Sequence, residues 1–269
     1  MEHTANQDAI DPRATPIFLE GKAGGVGVVL IHGLTASPTE VAPIAHFLHD
    51  HDPSMTISCP LLPGHGRTPA ALRRTSAEDW IAAVDAEIDR LSQRCSTIGV
   101  LGVSLGAVLA AHAAITDPRV RSVAMLAPVF ELPPMKAVFV RAMRHFVPYA
   151  KKSRRSLENH RKKGLFSYDR YPLTSLAHLH AFGSRVRRRL SDLQVPTLIA
   201  VGHLDRYIDP SSAPSLCHDL GTDDVTIVDC ASSGHILPHE PDAPELMRRI
   251  GEWLRRVHTG DAGCPSRQA

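Results

Sequence analysis

Ile98-Gly99-Val100-Leu101-Gly102-Val103-Ser104-Leu105-Gly106-Ala107-Val108-Leu109-Ala110-Ala111-His112-Ala113-Ala114-Ile115-Thr116 carries no charged side chain. The stretch is long enough to raise the question of a membrane span. Gly99, Gly102, Ser104, Gly106 and His112 interrupt it, and two different patterns meet inside it. Ile98 to Val103 is a short apolar run of the kind buried on both faces of a parallel sheet. From Leu105 to Ile115 the repeated alanines suit a helix that packs closely against its neighbours. The join is Gly102-Val103-Ser104-Leu105-Gly106, a G-x-S-x-G sequence. At such a strand-to-helix turn a serine sits exposed on a strained backbone, and the glycines leave room where a Cβ would collide.

The same rhythm extends in both directions. Pro16 to Leu19 is expected as a short edge strand, followed by a glycine-rich turn at Gly21 to Gly25. Val26 to Ile31, Met55 to Ser58, Val120 to Leu126, Thr197 to Val201 and Val225 to Val228 are further strands. Ser37-Pro38-Thr39-Glu40 has the form of a capping box opening a helix to about His49. Ser76 caps another, with Asp79 in its first turn and Trp80, Ile81, Val84, Ile88 and Leu91 on one face. Helices are also expected at Pro214 to Leu220 and Pro244 to Val257. Strands alternating with helices imply a mainly parallel sheet covered on both faces. One domain over residues 16–258 accounts for this, with an insertion at about 130–190 over the sheet's carboxyl edge. Residues 1–15 and 259–269 read as flexible termini.

The 269 residues bury enough surface to fold without staples. A net charge of +2 gives no bulk attraction to nucleic acid. The five cysteines, Cys59, Cys95, Cys217, Cys230 and Cys264, are odd in number and widely spaced, which argues against a disulfide framework and a zinc site. Reduced thiols in the cytoplasm are the simplest reading. The first fifteen residues hold Glu2, Asp8 and Asp11 and no apolar core, unlike a signal peptide. No metal-ligand spacing stands out and no cofactor is required; His46, His49 and His51 read as a solvated helix end.

A serine hydroxyl becomes a useful nucleophile only beside a base, and acyl transfer needs donors for the developing oxyanion. The turn resembles the nucleophile elbow of α/β-hydrolases, and that resemblance implies that the carboxylate follows in the chain and the histidine comes last. Asp205 lies in the loop after Thr197 to Val201, and His235 in the loop after Val225 to Val228, both at carboxyl ends of strands, where open α/β sheets bind ligands. Asp209 is the alternative acid, but with Pro210 behind it, it reads better as a helix cap. His239 is a surface residue or a partner of the site. His32 is read as ordering its own loop rather than as the base. The oxyanion donors are expected to be the backbone N–H groups of Leu105 and Leu34.

His32-Gly33, Pro63-Gly64-His65-Gly66, Gly102-Val103-Ser104-Leu105-Gly106, Asp205 and Ser233-Gly234-His235 together resemble the α/β-hydrolase superfamily. Over about residues 25–257 the chain is most similar to small bacterial carboxylesterases and monoacylglycerol-lipase-like serine hydrolases. The resemblance implies an α/β-hydrolase fold: a mostly parallel eight-stranded sheet, helices on both faces and a helical cap insertion. It also implies that the elbow serine and the last-loop histidine are catalytic, and that the Pro63 to Gly66 loop is on the active-site side without belonging to the triad. Leu105 and Leu34 depart from the aromatic or Gln often found there, which touches the acyl pocket and not the backbone donors. Haloalkane dehalogenases and epoxide hydrolases share the fold but carry an aspartate at the elbow; Ser104 argues against both.

The expected reaction is hydrolysis of carboxylic esters, short- to medium-chain acyl esters or monoacylglycerols, through an acyl-serine intermediate. A thioesterase acting on acyl-CoA or acyl carrier protein is the alternative, and a binding protein on the same fold is the third reading. About half of the 30 Lys and Arg lie between Lys136 and Arg189. They form a solvated cap face or attract an acidic partner: coenzyme A, an acyl carrier protein or an anionic lipid. Phe139, Met143, Phe146, Val147, Leu165 and Phe166, interleaved with them, are expected to line an acyl pocket beneath the cap.

Overall fold

The computed structural model describes residues 9–209 and 212–259. Nine strands are present among these residues: β1 (Ile17–Leu19), β2 (Val26–Ile31), β3 (Thr56–Cys59), β4 (Thr97–Val103), β5 (Val120–Leu126), β6 (Tyr149–Lys151), β7 (Arg170–Pro172), β8 (Thr197–Gly202) and β9 (Val225–Cys230). The helices are α1 (Ala42–His51), α2 (Pro69–Arg73), α3 (Ala77–Ser92), α4 (Leu105–Thr116), α5 (Pro134–Met143), α6 (Arg154–Lys162), α7 (Leu173–Arg187), α8 (Ser212–Asp219) and α9 (Ala243–Thr259). The main sheet runs β1-β3-β2-β4-β5-β8-β9, with β1 antiparallel to β3 and every other pair parallel.

The main sheet therefore has seven strands among the described residues, not the eight that the resemblance implied. Upstream of β1 the chain turns as a short 3-10 helix at Pro12–Ala14, capped by Asp11. Pro12 and Pro16 lack the N–H that a ladder needs. This arm is not loose from Asp11 onward: Asp11 N donates to the Gly66 carbonyl at 2.8 Å, and Ala14 is buried.

Alternation along the strands sends side chains into two cores. Val28 and Leu30 of β2 pack with Leu101, Val103, Ile44, Leu246 and Leu254 on the α1 and α9 side. Val29 and Ile31 pack with Val100, Trp80, Ile88 and Val108 on the α3 and α4 side. Helix α4 is buried along most of its length, so a charge on it would have no water to face. The uncharged stretch thus divides into β4 and α4, and no described helix is long and apolar enough to cross a membrane. Ser76 and Asp79 close the capping box expected for α3. Ser37 makes no such bond; Pro38–Glu40 is a 3-10 turn and α1 starts at Ala42, because the Glu40 carboxylate is engaged elsewhere.

Between β5 and β8 the chain builds a cap over the carboxyl edge. It holds α5, α6 and α7, as its composition suggested, together with an antiparallel ribbon of β6 and β7. The Tyr168 hydroxyl donates to the Gly64 carbonyl at 2.9 Å, tying the cap to the Pro63 to Gly66 loop.

Candidate active site

The register of the sheet gathers the candidate residues at one edge. Ile31 pairs with Gly102, Val103 with Leu126, and Gly202 with Cys230, so β2, β4, β8 and β9 all end at that edge. Ser104 leaves β4 with φ 58° and ψ −113°, a strained conformation for a residue with a Cβ. The crowding that demands glycine around it is severe. A Cβ on Gly102 would lie 2.1 Å from the Gly106 carbonyl carbon, and one on Gly106 would lie 2.1 Å from the Ile31 oxygen.

The loop after β2 packs against the elbow: a Cβ built on Gly33 would meet the Ser104 Cβ at 3.3 Å. Leu34 follows Gly33, and Leu105 is the first residue of α4, where the helix itself makes no use of the N–H. Glu40 is buried, and its Oε2 accepts from Gly33 N at 2.6 Å. Burial pushes its carboxyl pKa up, opposed by that bond and by the nearness of His235 and Lys152.

His32 orders this loop. Leu62 N donates to its Nε2 at 3.2 Å, which leaves the proton on Nδ1, 2.9 Å from the Gly33 oxygen. Burial holds its pKa down at about 4. His65 packs edge-on against it, ring centres 4.9 Å apart.

Asp205 and His235 meet where β8 and β9 end. A Cβ on Gly202 would lie 2.3 Å from the Gly234 oxygen, so only glycine lets these loops close together. His235 Nδ1 is 2.7 Å from Asp205 Oδ2, and the Asp205 side chain is only 2% exposed. Asp205 Oδ1 accepts from the N–H groups of Tyr207 and Ile208 at 2.7 and 3.3 Å. The His235 loop is fastened by Asp242, whose Oδ2 accepts from Ser232 N and Ser233 Oγ at 2.8 and 2.7 Å. Asp209 is exposed, and the residue after it lies outside the described ones, as does the cap role expected of it. His239 sits behind the site, with Nε2 3.0 Å from the Thr39 oxygen.

Ser104, Gly33, Leu34 and His235 line one pocket of about 500 Å³. Its apolar wall is Val129, Leu132, Tyr171, Leu176, Leu179 and Ile236. The apolar cap residues expected there are elsewhere. Phe139 and Phe146 are 52% and 82% exposed, and Val147 too faces solvent. Leu165 and Phe166 are buried, the latter in the α3–α4 core, and Met143 packs against that core. Val140 of α5 is buried and Ala137 and Met143 pack against the core, so the helix turns Met135, Val138 and Phe139 outward, a rotation that composition does not reveal. Among the described residues no group of His, Cys, Asp and Glu could hold a metal ion. Cys59, Cys95, Cys217 and Cys230 are free thiols; Cys264 lies outside the described residues.

With this geometry established, the family assignment follows from comparison with known sequences. The family-wide profile described as serine aminopeptidase, S33, matches residues 26–242. The chain belongs to the S33 family. This S33 chain is 28% identical over 247 residues to the thermostable monoacylglycerol lipase of Bacillus sp. (strain H-257), covering 92% of this chain and 96% of that protein. It is 26% identical over 247 residues to a carboxylesterase of Bacillus subtilis (strain 168), covering 90% and 98%. Among solved structures, one reported with the metagenome-derived lipolytic enzymes LipS and LipT superposes with a TM-score of 0.82 at 21% identity, over 92% of this chain and all of that one. The monoacylglycerol lipase of Paleococcus ferrophilus gives 0.73 at 20% identity, over 89% and 97%. These two likenesses establish the α/β-hydrolase fold for the S33 chain.

Glu40, Lys152 and Tyr207 also belong to the site, and sequence reading missed all three. In the sequence Glu40 has the look of a capping-box residue. Lys152 stands in a run of basic residues with nothing to mark it. Tyr207 lies against the His235 ring, centres 4.8 Å apart.

Proposed function

We propose that this S33 chain hydrolyses carboxylic esters through an acyl-serine intermediate, with Ser104 as nucleophile, His235 as base and Asp205 as acid. The observation that carries the reading is the 2.7 Å contact of a buried Asp205 with His235, which shares a pocket with a strained Ser104. Asp205 Oδ2 holds the proton on His235 Nδ1 and leaves Nε2 to accept the Ser104 proton. Ser104 Oγ attacks the ester carbonyl, and the N–H groups of Leu34 and Leu105 receive the negative oxygen. His235 returns the proton to the departing alcohol. Water then repeats the sequence on the acyl-serine and frees the acid.

The apolar wall suits an acyl chain, and the volume suits a small-molecule substrate. The Bacillus monoacylglycerol lipase and carboxylesterase support monoacylglycerols or other carboxylic esters as the substrate class, within which short- to medium-chain acyl esters are the proposed substrates. A thioester would use the same groups, but the basic block that pointed to one is partly engaged in ion pairs. Lys163 pairs with Glu240, Arg170 with Asp169, Arg185 with Glu78, Arg187 with Asp219 and Arg189 with Asp192. The pocket lining includes Glu131 and Glu158 as well as Lys136 and Arg155. An acidic partner at the cap would meet Arg154, Arg155, Arg161 and Lys162, all exposed on α6.

The test is hydrolysis of p-nitrophenyl esters from acetate to palmitate, with monoacylglycerols and acyl-CoA alongside and Ser104→Ala in parallel. Loss of several orders of magnitude in the variant is expected. An active wild type with a fully active Ser104→Ala would refute the nucleophile.

A further inference from the structure

Thr35, next to the proposed donor Leu34, has φ +66° although its side chain is β-branched. Such a residue in the left-handed region is a backbone outlier that persists only where its surroundings hold it. Two buried ionisable groups grip the loop on either side of Leu34. On one side Glu40 Oε2 accepts from Gly33 N at 2.6 Å. On the other, Lys152 Nζ donates to Thr35 Oγ1 at 2.6 Å.

Lys152 belongs to the cap. It directly follows β6, its backbone N donates to the Asp169 carbonyl at 2.9 Å, and a second Nζ bond runs to Ser167 Oγ at 2.6 Å. Nζ also lies 4.6 Å from the centre of the Tyr171 ring. The residue is 8% exposed and lines the same pocket as Ser104. Stability alone gives little reason to bury an ammonium there, since burial opposes its charge and a well-packed apolar residue is often as good.

We infer that Lys152 is a positioning residue for ester hydrolysis, a cap-borne ammonium that clamps the Thr35 hydroxyl and so holds the Leu34 N–H on the substrate oxyanion. The inference rests on the serine-hydrolase reading above. The clamp joins residues 117 apart in sequence, so the cap completes the oxyanion site as well as covering the pocket. A charged donor makes a stronger and shorter hydrogen bond than a neutral one, which suits a strained acceptor. Burial pulls the ammonium pKa down to about 7, opposed in part by the nearby Glu40 and Asp169 carboxylates.

The experiment compares Lys152→Met, Thr35→Val, their double variant and Arg141→Met by steady-state hydrolysis of a p-nitrophenyl ester. Loss of an oxyanion donor costs about 100- to 1000-fold in kcat, so misplacing one through this clamp is expected to cost about 10- to 100-fold. KM should stay within about 3-fold, because the interaction is made to the transition state. Affinity for a trifluoromethyl ketone, which mimics the oxyanion, should fall by the factor lost in kcat. Thr35→Val reads the clamp from its other end, should Lys152→Met not fold, and the double variant should be no worse than the worse single one. Arg141→Met removes a positive charge from the exposed face of the cap and should leave kcat unchanged. Additive losses in the double variant, a change in KM alone, or unaltered kcat in Lys152→Met would each overturn the inference. Fluorophosphonate labelling of the wild type separates the two levels: an unlabelled Ser104 removes the serine-hydrolase reading and the inference with it, whereas a labelled Ser104 with any of those kinetic results removes the inference alone.

Discussion

Asp205→Asn tests the proposed acid with almost no change of shape. Oδ1 of the native side chain accepts from two backbone donors, Tyr207 N at 2.7 Å and Ile208 N at 3.3 Å. The amide oxygen of the variant must take that place, since an NH2 group there would face two N–H groups. The amide NH2 then occupies the position of Oδ2, 2.7 Å from His235 Nδ1. Nδ1 is forced to accept, the ring proton moves to Nε2, and the imidazole can no longer take the Ser104 proton. An aspartate-to-asparagine change with this geometry costs about 10,000-fold in kcat, or about 5 kcal/mol of activation free energy. Stability should change far less, by about 1–3 kcal/mol, the worth of a hydrogen bond to a charged group. The assay is kcat for p-nitrophenyl butyrate, with urea denaturation as the check on folding. Asp209→Asn serves as the comparison, because Asp209 was the alternative acid; it should stay within about 3-fold of wild type. A folded Asp205→Asn that keeps a tenth of the activity, or a collapse in Asp209→Asn instead, would refute the reasoning.

Four further outcomes follow from the packing. Gly106→Ala places a Cβ 2.1 Å from the Ile31 oxygen and 2.9 Å from the His32 oxygen, both backbone atoms that cannot swing away. It should cost about 1–3 kcal/mol or more in urea unfolding and lose most esterase activity, because the elbow and the oxyanion loop are forced apart. Stability should also fall with acid. His32 and His258 are held down at about 4 and His65 well below its ordinary value, in each case first by burial. An unfolded histidine takes its proton near pH 6.5, so between about 6.5 and 4 the unfolded chain binds more protons, and stability drops by a few kcal/mol in total. The sign for Lys152 runs the same way at higher pH: its folded pKa of about 7 lies below the unfolded 10.5, so stability rises from pH 7 towards 10. Urea midpoints from pH 4.5 to 9.5 measure both, and a flat profile would contradict the burial argument. His258→Asn, which keeps a polar group near Ser122 and Thr97, should flatten the acid limb in part.

The parts of the site legible in the sequence are those whose chemistry is local. The elbow is a case of backbone sterics: Gly102 and Gly106 are required by atoms a few residues away or on the adjacent strand, and the pentapeptide advertises them. Asp205 and His235 were legible because a parallel sheet ends all its strands at one edge, so a position after a strand is already a position near the site. Seven strands were readable one by one, and the eighth came only from the resemblance. The capping-box reading of Ser37 to Glu40 failed because a carboxylate that can reach a helix N-terminus can also reach a loop amide, and Gly33 N won.

By itself, then, the sequence determined the strands of the main sheet, the Ser104 turn and the loops that carry Asp205 and His235, since each depends on hydrophobic period, glycine sterics and chain order. The tertiary structure decided what depends on orientation between distant segments. It turned Phe139 and Phe146 of the cap outward and supplied the pocket wall from Leu132, Leu176 and Leu179 instead. It also took one lysine from a run of basic residues and buried it against Thr35, 117 residues away. A charge run reads the same whether its members face water or a pocket, because burial is a property of the packed chain and not of the residue.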